Sequence, residues 1–350
     1  MPEPREPQTD VVDPGSGRAP DASDAGGGRD RPHSGHDAAP LVYGPVPSRR
    51  LGRSLGVDLV PFKTCTHDCV YCQLGPTTDR TTTRRPWVEP AHVLREIRSR
   101  LDTRPDVITL AGSGEPTLCT GLDLVIDGIK AMTTVPVFVI TNGSLLGRPD
   151  VQRELAHADV VLPSLDAVDD VTYRAVNRPH EDLDFAAFVD GIADFRSSYG
   201  GQIWLEVMLL DGVTGTVSMV ERLARHAARL APDRIQLNTV VRPPAEQTAR
   251  PVSPGRLADL AALFTPQAEV IAGAPQADHD QQATAAAVLA LIARRPCTVT
   301  DVATGIGAHR NAALKTLTAL VENGAAQRVD HDGDVFYAAA DPTRPIEEES

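Results

Sequence analysis

The sequence is poor in aromatic residues and contains no long apolar run. Only 4% of its 350 residues are Phe, Trp or Tyr, and no window approaches the roughly 18 consecutive apolar residues of a membrane span. The N-terminus, MPEPREPQTD, lacks the basic start and the apolar stretch of a secretory signal. We therefore expect a soluble, cytoplasmic protein with no membrane partner.

Positive charge is also in short supply, because the formal net charge at pH 7 is −13. This balance argues against a generally basic nucleic-acid binder, although local basic patches are compatible with it. Hydrophobic residues make up 41% of the chain. That is enough to bury the core of one large domain or of two smaller ones.

Cysteine is scarce but clustered. Three of the five cysteines, Cys65, Cys69 and Cys72, fall in the stretch TCTHDCVYCQLG, residues 64–75. Disulfides are rare in a reducing cytoplasm. An odd number of cysteines with three close together fits metal ligation better than a disulfide framework.

Apolar runs that alternate with amphipathic segments indicate an α/β domain over residues 39–274. The runs predict strands covered on both faces, as in a parallel sheet, at residues 56–62, 106–112, 135–143, 158–166, 202–210 and 233–241. Helices are predicted at residues 90–102, 120–132, 148–157, 184–198, 216–230 and 254–264. Residues 1–38, rich in Gly, Pro, Asp and Ser, predict a disordered tail.

Polar segments follow five of the six predicted strands. They are the cysteine loop and the stretches GSGEPT, TNGS, SLDA and NTVVRP. In βα barrels the C-terminal ends of the strands form the active-site face. We therefore expect these five segments to converge in space.

The C-terminal part has a different pattern. A linker is predicted at residues 275–281, three helices and a hairpin at 282–340, and an acidic tail at 341–350. The hairpin turn is indicated by Asp-Gly in HDGD, and this combination is typical of a winged-helix domain. Five Lys/Arg and five Asp/Glu balance over residues 281–340, whereas a nucleic-acid reader normally has a basic surplus. The helix that begins at AHRNAALK is the candidate for groove contacts, and binding a peptide or simply docking are the alternatives.

The cysteine loop allows three interpretations. Zinc has four candidate ligands if His67 joins the cysteines, but structural zinc sites usually combine two short ligand pairs separated by a longer span. A dithiol redox pair, Cys69 and Cys72, leaves Cys65 unexplained. An iron-sulfur cluster ordinarily takes four thiolates, so three would leave one iron open to an exchangeable ligand.

The C-x3-C-x2-C spacing, with Tyr71 just before the last cysteine, resembles the cluster loop of the radical S-adenosylmethionine (SAM) superfamily. Residues 42–273 carry the resemblance. It implies that Cys65, Cys69 and Cys72 hold a [4Fe-4S] cluster and that SAM binds the fourth iron. Tyr71 would belong to the cofactor site.

The stretch GSGEPT, residues 112–117, is similar to the Gly-Gly-Glu segment of that superfamily, with Ser113 in place of one glycine. The resemblance implies that Glu115 accepts the methionyl ammonium group of SAM while Gly112 and Gly114 let the backbone approach closely. A glycine-rich turn with a helix-capping acid is the alternative interpretation.

The stretches ITNG and SLDA, residues 140–143 and 164–167, end the third and fourth predicted strands. By the same resemblance, the side chains of Thr141, Asn142, Ser164 and Asp166 lie near the ribose and the methionyl carboxylate, partners that suit hydroxyl and amide groups. Ordinary turn and N-cap residues are the alternative.

The superfamily's chemistry gives the functional expectation. One electron from the reduced cluster cleaves SAM to methionine and a 5'-deoxyadenosyl radical, which abstracts hydrogen from a substrate. We therefore expect an oxidoreductase or transferase-type enzyme supplied by a low-potential electron donor of the flavodoxin or ferredoxin type. Fold-level analogy implies a partial (β/α)6 barrel whose open side admits a bulky substrate.

The substrate is less well indicated. The segments around the cysteine loop, with IWLEVMLLDGV and IQLNTVVRPP, resemble a subgroup related to the wyosine-tRNA synthases. Glu206 and Asn238 are then candidate catalytic residues facing the substrate, with Arg242 nearby, and a satisfied buried acid is the alternative for Glu206. The extra upstream cysteines of the archaeal wyosine enzymes are missing. A tRNA base, a peptide and a small molecule therefore stay open as substrates.

Two further expectations concern the basic residues and the whole protein. Arg49, Arg50 and Arg53 would meet an anionic substrate or form a solvated basic stretch, which is commoner. The competing functional hypothesis is a non-enzymatic protein, stabilised by a metal and fused to a DNA-binding winged helix.

Overall fold

Two antiparallel strands begin the part of the chain that the structure describes. The computed structural model describes residues 40–48, 50–271, 284–308 and 310–340. Strand β1 (Val42–Ser48) pairs with β2 (Gly52–Val57). The prediction of a strand at 56–62 is therefore wrong beyond Val57. β1 was not predicted, because its proline-containing sequence disfavours a strand, and it is tolerated here because β1 lies at the edge of the sheet.

The main sheet contains eight strands in the order β1-β2-β5-β6-β7-β8-β9-β10. From β2 onward all neighbours are parallel, and the order does not return to β1, so the barrel is partial. The remaining strands of this sheet are β5 (Val107–Leu110), β6 (Val137–Thr141), β7 (Val160–Pro163), β8 (Gln202–Leu209), β9 (Arg234–Thr239) and β10 (Glu269–Val270). Two short strands, β3 (Thr64–Cys65) and β4 (Asp79–Arg80), pair separately within the cysteine loop.

Helices cover the outside of this sheet. They are α1 (Pro90–Arg98), α2 (Leu122–Met132), α3 (Pro149–Leu155), α4 (Asp170–Val176), α5 (Phe185–Ser198), α6 (Val217–Leu230) and α7 (Pro254–Ala261). Helix α6 shows why: its buried residues Val220, Leu223, Ala227 and Leu230 form one apolar stripe at helical spacing. The six predicted helices are confirmed with shorter ends. Helix α4 was missed because it is a seven-residue helix that begins at a local capping box of Asp169 and Thr172.

No helix in the described ranges is both long enough and apolar enough to span a membrane.

The C-terminal segment has a core of its own. Its elements are α8 (Ala285–Ile292), α9 (Val299–Gly305), α10 (Arg310–Glu322), β11 (Ala326–His331) and β12 (Asp334–Ala339). Val288, Val302 and Leu317 pack inside it, and α8 and α9 contact β1 of the barrel. Asp332 and Gly333 have positive φ angles of 49° and 84° at the hairpin turn, as the Asp-Gly signal predicts.

The three helices and the hairpin thus lie where the sequence predicts them, and the winged-helix assignment stays a prediction. The predicted tails at 1–38 and 341–350, the linker at 275–281, Arg49 and His309 lie outside the described residues.

Candidate functional site

The three clustered cysteines lie on one loop that starts in β3 and returns in β4. At its tip the amide of Cys72 donates to the carbonyl oxygen of Cys69 (3.1 Å). All three thiols are free and partly buried. They are close enough that Cys65 and Cys72 help to raise the pKa of Cys69, although burial is the main cause. The loop therefore gathers three thiols in one shielded place.

A nitrogen donor contacts each of these sulfurs. The pairs and their N–S distances are Lys63 Nζ with Cys72 (3.2 Å), Asn142 Nδ2 with Cys65 (3.5 Å) and Asn177 Nδ2 with Cys69 (3.6 Å). Donors of this kind favour negative charge on the sulfur that accepts the hydrogen bond. Each of the three sulfurs thus has a hydrogen-bond donor beside it, although burial raises the pKa values of Cys65 and Cys69.

The buried side chain of Lys63 shows whether a negatively charged cluster fits this site. Its side chain is buried, with the residue 3% exposed, and within the described ranges its ammonium group pairs with no carboxylate. A buried charge needs a partner of opposite charge. Burial raises the pKa of Cys65 to about 12, so this thiol is neutral in the metal-free protein, whereas iron binding requires deprotonated thiolates. A thiolate-bound iron-sulfur cluster would supply the missing negative charge.

The imidazole of His67 contacts aromatic side chains rather than the three sulfurs. Its Nε2 lies 2.6 Å from the hydroxyl of Tyr173, and its ring meets the rings of Tyr173 and Phe188 edge to face. Across the described ranges no three His, Cys, Asp or Glu side chains are arranged around one ion. Each thiol of a cubane cluster binds a different iron, so a cluster does not require that convergence. Nε2 of His67 is therefore engaged with Tyr173 and not with the three sulfurs.

The GSGEPT turn is bonded directly to the cysteine loop. The amide of Lys63 donates to the carbonyl of Ser113 (2.7 Å), and the amide of Glu115 donates to the carbonyl of Thr64 (3.1 Å). A Cβ atom on Gly114 would lie 2.0 Å from that Thr64 oxygen. Glycine is therefore required at position 114 for the two segments to meet.

Glu115 is buried at the centre of this junction. Its Oε1 accepts from the amide and hydroxyl of Thr117 (3.0 and 2.6 Å) and from the hydroxyl of Thr141 (2.6 Å), while Oε2 accepts from the amide of Asn142 (2.7 Å). It caps the short 3-10 helix Pro116–Leu118, as the alternative interpretation predicts. The same carboxylate joins the ends of β5 and β6.

Asp166 performs a similar task further along the sheet. It accepts hydrogen bonds from the hydroxyl of Tyr71, from Nδ2 of Asn177 (2.9 Å) and from the amide of Met208 (2.9 Å). Burial raises its pKa to about 6. Ser164 is partly buried beside it, and the Ser164 amide donates to the carbonyl of Thr141 (3.2 Å). The segments that follow β5, β6 and β7 therefore converge on the cysteine loop, as expected.

Asp58 is a site residue that sequence reasoning missed. Its carboxylate accepts from the amide (3.1 Å) and the hydroxyl of Ser113 and pairs with Arg294 of the C-terminal segment (2.8 Å). A Cβ on Gly112 would lie 2.7 Å from this carboxylate. The one signal in the sequence was an acidic residue inside an otherwise apolar run.

Glu206 lies deeper in the barrel, on β8. Its carboxylate pairs with Arg50 and accepts from Nδ2 of Asn238 (3.1 Å). Arg50 is 15% exposed in this pair, so the interpretation as a solvated basic residue is wrong for Arg50. It holds for Arg53, which is exposed. Glu206 and Asn238 thus lie in contact, as expected. The carboxylate of Glu206 has an ion-pair partner and a hydrogen-bond donor, as the alternative interpretation predicts.

Comparison with known proteins gives the class. Residues 59–227 match the family model described as the Radical SAM superfamily. UPF0026 protein MJ1312 of Methanocaldococcus jannaschii is 35% identical over 228 residues, which are 64% of this chain and 71% of that protein. The chain belongs with the UPF0026 proteins, and its residues 59–227 place it in the radical SAM superfamily.

A second relative is longer than this chain. The protein named GTPase Obg of Brachyspira hyodysenteriae is 32% identical over 304 residues, 85% of this chain but only 45% of its own length. This chain has no Gly-Lys pair, so it lacks the phosphate-binding loop G-x4-G-K-[ST] of P-loop GTPases. The GTPase name is therefore not transferred to it.

Solved structures resemble part of the chain at low sequence identity. The radical SAM methyltransferase of Sphaerobacter thermophilus is 18% identical with a TM-score of 0.46, covering 62% of this chain and 65% of that one.

Proposed function

We propose that the protein is a radical SAM enzyme in which Cys65, Cys69 and Cys72 hold a [4Fe-4S] cluster. The observation that supports this most directly is the set of nitrogen donors on the three sulfurs, with the buried Lys63 ammonium among them. When bound, the cluster supplies the electron that splits SAM into methionine and a 5'-deoxyadenosyl radical, which takes hydrogen from the substrate. The chain's own residues must hold SAM, orient it and exclude water.

In this proposal the GSGEPT turn binds the methionyl end of SAM. Oε2 of Glu115 accepts only one hydrogen bond in the described residues, from Asn142, and so retains acceptor capacity for the ammonium group. Gly112 and Gly114 keep the turn free of side chains that would collide with Asp58 and with the cysteine loop.

The ends of the next two strands take the remaining SAM contacts. Thr141 and Asn142 are fixed by Glu115, and Asp166 is fixed by its three donors, including Tyr71. With Ser164 beside them, these groups offer hydroxyl, amide and carboxylate partners for the ribose and the methionyl carboxylate. Their rigidity would set the position of the reacting carbon.

On the substrate side, we assign Glu206 and Asn238 to the pocket that faces the radical. The ion pair with Arg50 and the hydrogen bond from Asn238 hold the Glu206 carboxylate in one orientation. The reducing equivalents would come from a flavodoxin or ferredoxin type of donor. The winged-helix assignment and the link to the wyosine-tRNA synthases stay predictions, since neither relative described above is named for tRNA.

Anaerobic reconstitution with iron and sulfide tests the proposal. We expect about four irons per chain, as for a [4Fe-4S] cluster, and SAM-dependent release of 5'-deoxyadenosine once a reductant is added. Both should be lost in Cys69→Ala. Cys119→Ala is the matched control, because Cys119 lies outside the cysteine loop in the sequence and its buried thiol donates to the carbonyl of Thr120.

Two results would count against this function. One is an unchanged iron content in Cys69→Ala when Cys119→Ala is also unchanged. The other is one tightly bound zinc and no iron in the reconstituted protein, which would favour the non-enzymatic hypothesis.

A further inference from the structure

A cavity of about 280 Å3 lies between the inside of the barrel and the C-terminal segment. Ser54 and Thr109, on neighbouring strands of the sheet, line one side, and Leu291 and Thr304 of α8 and α9 line the other. Gly112 of the GSGEPT turn is also in its wall, and so is Gln73, which follows Cys72. The cavity therefore begins beside the candidate cofactor site.

Its charged lining is mainly cationic. The guanidinium groups come from Arg50, Arg242, Arg294 and Arg295, and the carboxylate in the lining is Asp301. Two of the arginines are already neutralised, because Arg50 pairs with Glu206 and Arg294 pairs with Asp58. The remaining two guanidinium groups, those of Arg242 and Arg295, have fewer negative partners.

Arg242 is held with too few partners. The residue is 9% exposed, its one ion pair is a long contact of 3.4 Å with Asp301, and its buried Nε has no hydrogen-bond partner in the described part of the chain. Asp301 is shared, because its other oxygen accepts from the amide and hydroxyl of Thr298 (3.0 and 3.1 Å). A buried guanidinium in such a position gains most from an additional anion.

Arg295 adds a second positive charge at the same end of the cavity. Its side chain is partly buried and makes no ion pair among the residues that the structure describes. Burial lowers the pKa of Arg242, and the nearby charge of Arg295 lowers it further. Two like charges held together with one shared carboxylate leave a surplus of positive charge facing the cavity.

We propose that Arg242 and Arg295 bind an oxyanion, a phosphate or carboxylate group carried by a small-molecule substrate. The planar guanidinium fork matches both groups through paired hydrogen bonds. A volume of about 280 Å3 is near the small end of the range for ligand pockets, which is roughly 300–1,000 Å3. This volume favours a small anionic molecule over the body of a nucleic acid. The inference that the anion belongs to a substrate rests on the proposed function, which places the radical beside the same cavity.

The proposal also gives the C-terminal segment a role. One of the two anion-binding arginines, Arg242, follows strand β9 of the barrel, and the other, Arg295, follows helix α8. The oxyanion would therefore join the two parts of the chain. No contact with DNA is needed to explain why this segment is fused to the barrel.

Calorimetric titration of the metal-free, SAM-free full chain tests the proposal independently of catalysis. The probes are inorganic phosphate, inorganic pyrophosphate and citrate, so that the phosphate and carboxylate sources are compared. We expect at least one of them to bind the wild type and to bind Arg242→Gln and Arg295→Gln about tenfold or more weakly, the loss typical of one charge-assisted contact. Arg229→Gln, an exposed arginine that pairs with Asp190 on the outer face, should bind like the wild type.

Arg242 is buried, so Arg242→Lys, which keeps the charge, and the less buried Arg295→Gln guard against a folding defect. Binding that is equal in wild type and Arg295→Gln would overturn the proposal, as would the failure of all three anions to bind at millimolar concentration. Tight binding of bulk tRNA that Arg295→Gln abolishes, without binding of the small anions, would overturn the small-molecule class. If the wild-type protein bound an anion but took up no iron on reconstitution, that result would count against the proposed function alone.

Discussion

Arg294 of the C-terminal segment and Asp58 of the barrel form an ion pair at 2.8 Å, although they are 236 positions apart in the sequence. The same Asp58 carboxylate holds the amide and hydroxyl of Ser113 in the GSGEPT turn. Arg294 also stacks on Tyr43, with its guanidinium carbon 3.8 Å from the ring centroid. The C-terminal segment is therefore connected through a single carboxylate to the turn that we assign to SAM.

The first prediction follows from this pair. Asp58→Asn should weaken SAM binding to the reconstituted protein about tenfold, because a neutral amide cannot hold both the Ser113 turn and the Arg294 guanidinium. Arg294→Gln should have an effect in the same direction. Equilibrium dialysis with labelled SAM measures it. An affinity unchanged in both variants would show that the turn does not depend on Asp58.

The second prediction concerns the ammonium group beside Cys72. Lys63→Met should retain its cluster but lower the cluster's midpoint potential, because a nearby positive charge favours the more negative, reduced state. A charge-assisted hydrogen bond corresponds to a shift on the order of 100 mV for one electron. A redox titration followed by EPR measures the shift. Lys63→Arg, which keeps the positive charge, should have a midpoint potential close to that of the wild type. Lys130→Met, at an exposed lysine, should leave the potential unchanged.

The third prediction tests the contact between the turn and the cysteine loop. Gly114→Ala places a Cβ 2.0 Å from the Thr64 oxygen, so the loop must move away and iron incorporation should fall severalfold on reconstitution. Gly255→Ala is the matched control, because a Cβ there meets no atom within 4 Å. Iron and sulfide analysis of both variants measures the effect. Equal iron contents would show that the loop tolerates the displacement.

The fourth prediction is a pH dependence of stability in the metal-free protein. Burial raises the pKa of Asp166 from 3.8 to about 6, so between these pH values the folded state binds more protons at this carboxyl than the unfolded state does. Its contribution to the free energy of unfolding is therefore fully present below about pH 4. It falls by up to about 3 kcal/mol as the pH rises to 7.

Urea unfolding of wild type and Asp166→Asn across pH 4 to 7 isolates this contribution. We expect the stability of the wild type relative to Asp166→Asn to decline steadily over the range, because the amide does not titrate. Asp194→Asn, on the exposed side of α5, should show no comparable decline. A constant difference between wild type and Asp166→Asn would contradict the raised pKa.

The sequence predicted the strand-end segments well because each carries its own local signal. The glycines of GSGEPT and the polar residues of ITNG and SLDA follow apolar runs, and parallel strands bring such ends together. The contacts of Glu115 with Thr141 and Asn142 are the result.

What the sequence did not reveal depends on distant packing. Lys63 reads as an ordinary surface lysine, and only the tertiary fold buries it against a sulfur. Arg294 has no local pattern that identifies Asp58 as its partner. Strand β1 contradicts the local preference of its proline-containing sequence, since its edge position and its pairing with β2 decide its structure.

The cavity between the barrel and the C-terminal segment is built from two separate parts of the chain. The residues that we assign to the cluster and to SAM all lie before position 240, whereas the shape and charge of the cavity also depend on residues after 290. A relative that exchanged its last helices but kept a cation at the position of Arg294 would meet a different group of molecules while its SAM turn stayed in place. In such a protein, selectivity can evolve as a separable module.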